Sequence, residues 1–269
     1  MRANRANRPD AGFDSGRRSF LAGALVAAGA ALLPRGASAV GAASQVALAQ
    51  LTYSGGNWQP RPTALRRLAW EIHKRTAVDA ALEPIQVKAD ARALAPYPLL
   101  YVSGDRGFTE LDAPAAEALG RYLRLGGTAL IDPAYTPDGD AKGFAASIDG
   151  LLGRALPGTA PKPIAPSHVL FRSFYDLPRA FGRVAGSPGF TGYDAGGRLA
   201  VIRGDHDLGG AWARDNLGNW ENDVAPGGER QRENAFRMGI NLVMFALCRD
   251  YKNEEPHRRF GGGATGEER

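Results

Sequence analysis

The sequence predicts an α/β domain built on an open, mostly parallel sheet with helices on both faces. Strand-like and helix-like stretches alternate with short links, the pattern of a sheet wound by crossover helices. Two of the strand candidates, residues 98–103 (PLLYVS) and 128–131 (TALI), are almost continuously apolar, as strands buried on both faces are.

Residues 46–53 (VALAQLTY) form the first expected strand, closed by the turn Ser54-Gly55-Gly56-Asn57. Leu65, Leu68, Ala69 and Ile72 recur at helical spacing and predict a helix over 63–76, opened by Pro62 or Thr63. A short strand follows at 85–88, then the buried strand at 98–103. Asp112 as N-cap, Pro114 in the first turn and Gly126-Gly127 as the stop define a helix over 112–125. The strand at 128–131 ends on Asp132-Pro133, and 141–156 is a further helix.

The second half is less regular. Residues 157–166 (PGTAPKPIAP) are proline-rich and predict an extended connector. Strands are expected at 169–175 and 199–203. The stretch 203–228 is rich in Gly, Asp, Asn and Trp without periodicity, a long loop of the kind that carries function. Residues 229–251 form a closing helix, apolar at Phe236, Ile240, Val243, Met244 and Leu247. The tail 252–269, with Gly261-Gly262-Gly263, is expected to be disordered, leaving one α/β domain over 40–251.

The start of the chain carries an address. Arg17 and Arg18 precede Ser19-Phe20-Leu21, residues 20–33 are apolar or small, and Ala37-Ser38-Ala39 closes the segment. This is the pattern of a twin-arginine signal peptide over 1–39, with cleavage after Ala39 and a destination in the periplasm or outside the cell. The apolar run is shorter than the roughly 20 residues a spanning helix needs, so no transmembrane segment is expected in the mature chain. The signal holds six arginines against two aspartates; without them the 33 basic and 28 acidic residues become 27 and 26. A net charge of +5 thus falls to +1, which leaves no bulk electrostatic case for nucleic acid or an anionic membrane.

Cys248 is the only cysteine, which excludes an internal disulfide, iron–sulfur clusters, thiolate zinc and c-type haem. On the closing helix it suits the role of a small hydrophobe rather than a nucleophile. Ser103 follows a buried strand, but Val102-Ser103-Gly104 is not the Gly-x-Ser-x-Gly elbow of a serine hydrolase.

Ligands of open parallel sheets bind beyond the carboxyl ends of the strands. Those ends deliver Gly55 and Gly56, then Ser103, Asp105 and Arg106, then Asp132 and Tyr135, as candidate ligand-binding residues. Asp205, His206 and Asp207 could hold a divalent metal through carboxylate and imidazole, with Asp132, His168 and His206 as catalytic candidates. No His-Glu-x-x-His or complete calcium loop supports that set, and aspartates collect at strand ends for turn chemistry in any case. Trp212, among amides and acids in the long loop, belongs to a mix that binds sugars or staples the loop to the core. Arg237 and Asn241 lie with Asn234 on one polar stripe of the closing helix, facing a site or bonding loop carbonyls.

Taken together, these residues resemble a bacterial family, domain of unknown function 4159. The matching landmarks include Tyr53 with Gly55-Gly56, Trp58, Arg61-Pro62, the 97–104 stretch, Tyr122-Leu123, Gly126-Gly127 and Ile131-Asp132. Later ones are His168, Phe174-Tyr175, residues 197–202 and 237–241, so the resemblance spans nearly the whole mature chain. It implies a three-layer fold similar to class I glutamine amidotransferases and flavodoxin-like domains, and no established activity. The amidotransferase nucleophile would be a cysteine after a central strand, where this chain has Asp132-Pro133.

The expectation is an exported periplasmic domain that binds a small ligand or an envelope protein on an amidotransferase-like scaffold without the nucleophile. No cofactor motif is identified beyond the divalent-metal candidates. The alternative is a metal-assisted hydrolase acting on an envelope substrate such as a saccharide.

Overall fold

The computed structural model describes residues 45–248. The export signal and its cleavage point, the end of the expected closing helix at 249–251 and the tail 252–269 lie outside the described residues.

Seven strands form one sheet: β1 (Ala49–Leu51), β2 (Ile85–Val87), β3 (Leu99–Gly104), β4 (Thr128–Pro133), β5 (Lys162–Ile164), β6 (Phe190–Ala195) and β7 (Arg198–Arg203). Their order is β2-β1-β3-β4-β7-β6-β5. The β2-β1-β3-β4-β7 portion is parallel, and β6 runs antiparallel to both β7 and β5. Strand order reverses between β1 and β3, which opens a crevice at their carboxyl ends.

Alternation along β3 and β4 divides the core. Leu99, Tyr101 and Leu130 face one apolar cluster, and Leu100, Val102, Ala129 and Ile131 face the other. The first cluster is covered by α1 (Ala64–Arg75), α5 (Leu208–Trp212) and α6 (Gly228–Leu247). The second lies under α2 (Ala91–Leu94), α3 (Ala113–Arg124) and α4 (Ala141–Ala155). The result is the three-layer α/β architecture read from the sequence.

Local rules account for the helices. In α1, Leu65, Leu68, Ala69 and Ile72 are the buried stripe the spacing predicts. Asp112 caps α3 by accepting from the Ala115 amide at 2.9 Å, and Asp140 caps α4 through the Gly143 amide at 2.9 Å. Where α3 crosses α4, Gly120 sits against the Ala155 carbonyl, leaving no room for a Cβ. Among the described residues, no helix is long and apolar enough to cross a membrane.

Four parts of the second half differ from the sequence reading. Residues 169–172 are a 3-10 helix, not a strand, because the consecutive residues Leu170 and Phe171 are both buried in the same cluster, which a pleat cannot do. The proline-rich connector contributes β5 at the sheet's edge. The unexpected strand β6 pairs with β7 through a hairpin whose turn, Gly196-Gly197, has φ of 60° and 77°, a conformation glycine adopts without strain. The long loop from 203 contains α5, all five residues of which are buried.

Candidate functional site

Two regions lie at the carboxyl edge of the sheet, one filled and one open. The filled region is centred on Asp207, which follows β7 and caps α5 from a left-handed backbone, φ 50°. Arg61, from the β1–α1 loop, grips its carboxylate with Nε at 3.2 Å and Nη2 at 2.7 Å. Arg183 donates to the same carboxylate at 2.5 Å. The amides of Tyr135 at 3.2 Å and Gly210 at 2.9 Å complete it. Both arginines also donate to the Tyr135 carbonyl, and Arg61 reaches Asn222 Oδ1 at 2.9 Å. One buried carboxylate thus ties together four segments: the β1–α1 loop, the residues after β4, the stretch before β6 that holds Arg183, and the start of α5.

Beside it, Asp132 lies at the buried carboxyl end of β4 with its carboxyl turned inward. It accepts from Tyr101 Oη at 2.7 Å and from the Leu208 and Gly209 amides at 2.8 Å each. Burial, and then the nearby charge of Asp207, push its pKa up to about 7 despite those donors. Asp132 is 1 % exposed and Asp207 0 %, so a substrate reaches neither without displacing a loop.

Two of the metal candidates meet, Asp205 Oδ1 lying 3.1 Å from His206 Nδ1, but Asp207 turns away from them. Asp205 accepts from the Ser187 amide at 3.1 Å on the surface. The His206 imidazole turns inward, with Nε2 2.7 Å from the Ser187 carbonyl and its ring edge-on to Phe190. Burial lowers its pKa, favouring the neutral ring. Asp207 holds the two arginines. No group of three or more His, Cys, Asp or Glu arranged for a metal occurs among the described residues. His168 is remote from them: its Nδ1 accepts from the Leu170 amide at 3.2 Å and its ring packs on Phe245.

The other candidates are dispersed. Asp105 takes hydrogen bonds from Asn57 at 3.0 Å, Thr136 at 3.1 Å and the exposed Arg106 at 2.9 Å. Burial works against the charged form of Asp105, but these donors outweigh it and hold its pKa below the usual range. Ser103 is buried in register with Asp132. Gly55, at φ 77°, and Gly56 are where the β1–α1 loop lies against Phe108 and Thr109 of the next loop, too close for a side chain. Trp212 is wholly buried and donates from its indole to the Ala235 carbonyl at 2.9 Å. Asn241 pins a turn, accepting from the Phe174 and Tyr175 amides and donating to the Tyr175 carbonyl. Arg237 pairs with Glu233 and lies over the Tyr175 ring.

The open region is a cleft of about 920 Å3 over the ends of β1, β2 and β3, on the α2–α3 side. Thr52, Tyr53 and Ser54 supply one wall, residues 88–91 a second, and residues 109–112 with the first turns of α3 a third. The Thr109 amide donates to the Ser54 carbonyl at 2.9 Å, fixing two of these loops against each other. Tyr53 donates to the Ser103 carbonyl at 2.7 Å, and burial, aided by Asp105, raises its pKa so that it stays a phenol.

Sequence reasoning missed Arg61, Arg183 and Tyr101 in the buried network and Lys88, Glu117 and Arg121 at the cleft. Arg61 had one signal, an arginine set directly before the proline that opens a helix. The others become neighbours only through strand order.

No curated protein matches the chain. The family model described as Domain of unknown function (DUF4159) matches residues 47–247, from β1 through the end of α6. With that match running over the entire sheet, both helical layers and the cleft, the chain belongs to this family.

Proposed function

We propose that this is an exported, ligand-binding domain whose ligand occupies the cleft over β1, β2 and β3. The observation that carries the reading is the coincidence of an open cleft of about 920 Å3 with the crevice between β1 and β3, where strand order reverses. The β4–β7 half of the edge is packed with the protein's own arginines and aspartates, so it serves as the frame. Export rests on Arg17-Arg18 and Ala37-Ser38-Ala39. A mature protein beginning at Val40 in the periplasmic fraction, lost on Arg17→Lys with Arg18→Lys, is the expected result.

Ligand binding is tested by NMR titration of the mature protein with a panel of envelope saccharides and peptides. Shifts should gather at residues 52–54, 88–91 and 109–118, and Ala118→Trp should abolish them. Ligands that shift only residues elsewhere would overturn the assignment. The metal-assisted hydrolase has less behind it, because Asp207 is held by Arg61 and Arg183 while Asp205 and His206 bond Ser187 and each other, and no third ligand joins that pair among the described residues. Near-stoichiometric metal in protein purified without chelator, lost on Asp205→Ala and His206→Ala, would restore it.

A further inference from the structure

The buried carboxyl of Asp132 meets three partners, the Leu208 and Gly209 amides at 2.8 Å each and the Tyr101 hydroxyl at 2.7 Å. An amide can only donate, whereas a hydroxyl can donate or accept. Of the three, Tyr101 Oη is therefore the one able to take a hydrogen from a protonated Asp132. Tyr101 must then direct its own hydrogen elsewhere, although it is buried against the Gly209 backbone and the Trp212 ring.

Ser103 stands where that hydrogen can go. It lies two residues along β3 from Tyr101, on the same face of the sheet, and in register with Asp132 on β4. Its side chain is close enough to the Tyr101 phenol to influence its ionisation. Yet Ser103 is 1 % exposed and its Oγ has no hydrogen-bond partner among the described residues. A buried hydroxyl left in that state is costly and calls for an explanation.

The surrounding charges keep a neutral Asp132 accessible. Asp207, at the start of α5, repels its charge. Arg61 from the β1–α1 loop and Arg183 from the stretch before β6 both commit their guanidinium groups to Asp207. Tyr135, after β4, gives its amide to Asp207 and its phenol to the Asp205 carbonyl, and the His206 imidazole turns to Ser187. No cation bonds Asp132 itself among the described residues.

We propose that the Tyr101 hydroxyl is a two-position hydrogen switch between Asp132 and Ser103, set by the protonation of Asp132. When Asp132 is ionised, Tyr101 donates to its Oδ2 and Ser103 Oγ is left over. When Asp132 takes up a proton on Oδ2, that hydrogen is donated to Tyr101 Oη, and Tyr101 turns its own hydrogen to Ser103 Oγ. One proton enters from solvent and no other covalent bond changes. The switch lies in the packed half of the edge and does not rest on the binding role of the cleft.

The test is carboxyl 13C NMR of the mature protein labelled at aspartate, titrated from pH 5 to 8.5. The Asp132 signal is identified by its absence in Asp132→Asn. Ser103→Ala removes the acceptor that only the neutral form uses, so the Asp132 midpoint should fall by about one pH unit, the worth of one buried hydrogen bond. Tyr101→Phe removes the donor to the carboxylate, so the midpoint should rise. Melting temperatures give a second reading: Ser103→Ala should melt below wild type at pH 5 and match or exceed it at pH 8.5. A midpoint indifferent to Ser103→Ala, or two variants that move it in the same direction, would overturn the switch. So would an Asp132 already ionised at pH 5 in the wild type.

Discussion

Arg61 and Asp207 stand 146 residues apart in the chain and meet in a two-pronged ion pair, 3.2 and 2.7 Å, beneath the loops of the sheet's carboxyl edge. Arg183 joins the same carboxylate from a third segment. The pairing ties four segments into one buried network, so the open cleft lies over β1 to β3 instead of over β4 and β7. Burying such charges carries a desolvation cost, and removing one partner adds the larger cost of an uncompensated buried charge.

Asp207→Ala should therefore destabilise the protein by about 3–5 kcal/mol, because two largely buried arginines lose their counter-charge. Asp207→Asn keeps the left-handed backbone and the cap of α5 and should cost less. Urea denaturation of the three proteins measures both, and equal stability of wild type and Asp207→Ala would sink the idea of a frame.

Asp132 predicts an unusual pH dependence. Its folded-state pKa of about 7 lies above the ordinary 3.8, so between those values the folded protein holds a proton that the unfolded chain releases. Stability from this group is then lost as pH rises from about 4 to about 7. His206 works oppositely: its lowered pKa means that acidification below about 6.5 protonates the unfolded chain first and costs stability. Asp132→Asn should remove the first contribution, so that melting temperature rises with pH between 5 and 7 more steeply than in wild type. Calorimetry across pH 5–8 that returns parallel curves for the two proteins would show that Asp132 carries no extra proton.

Two helix glycines should respond to alanine with opposite sign. Gly120 abuts the Ala155 carbonyl, so Gly120→Ala forces α3 from α4 and should cost about 1–3 kcal/mol. Gly153 in α4 has nothing within 4 Å of its missing Cβ. There Gly153→Ala should stabilise by up to about 1 kcal/mol through helix propensity alone. Thermal denaturation of the pair reads the difference directly.

Asn241 satisfies three backbone groups of the turn at 174–175 from within the apolar α6. Asn241→Leu leaves those groups without partners and should cost about 2–4 kcal/mol. Hydrogen exchange at the Phe174 and Tyr175 amides should accelerate in the variant. Unchanged exchange there would mean that the turn is held by other contacts.

Much of the fold was legible in local chemistry. The spacing of Leu65, Leu68, Ala69 and Ile72, the Asp112 cap and the apolar runs at 98–103 and 128–131 each correspond to an observed element within a few residues. The strand expected at 169–175 failed because Leu170 and Phe171 are consecutive and both inward, which only a helical turn allows. Strand β6 escaped notice because Thr191, Gly192 and Asp194 dilute its pattern, although Gly196-Gly197 marked its hairpin turn. The site was less legible: Asp132 and Asp207 were visible as strand-end acids, but their partners come from the neighbouring strand β3 (Tyr101) and from distant loops (Arg61 and Arg183).

The sequence by itself determined the three-layer class, the bounds of α1, α3 and α4 to within a residue or so and the Asp112 cap, because these depend on periodicity and on side chains within a turn of one another. Tertiary structure alone decided which acids are buried, which arginines neutralise them and where the edge stays open. Those outcomes follow from strand order: β7 beside β4 brings Asp207 to Asp132, and β1 beside β3 leaves a crevice at their carboxyl ends. Strand order is set by the sum of long-range packing, and no short stretch of residues encodes it.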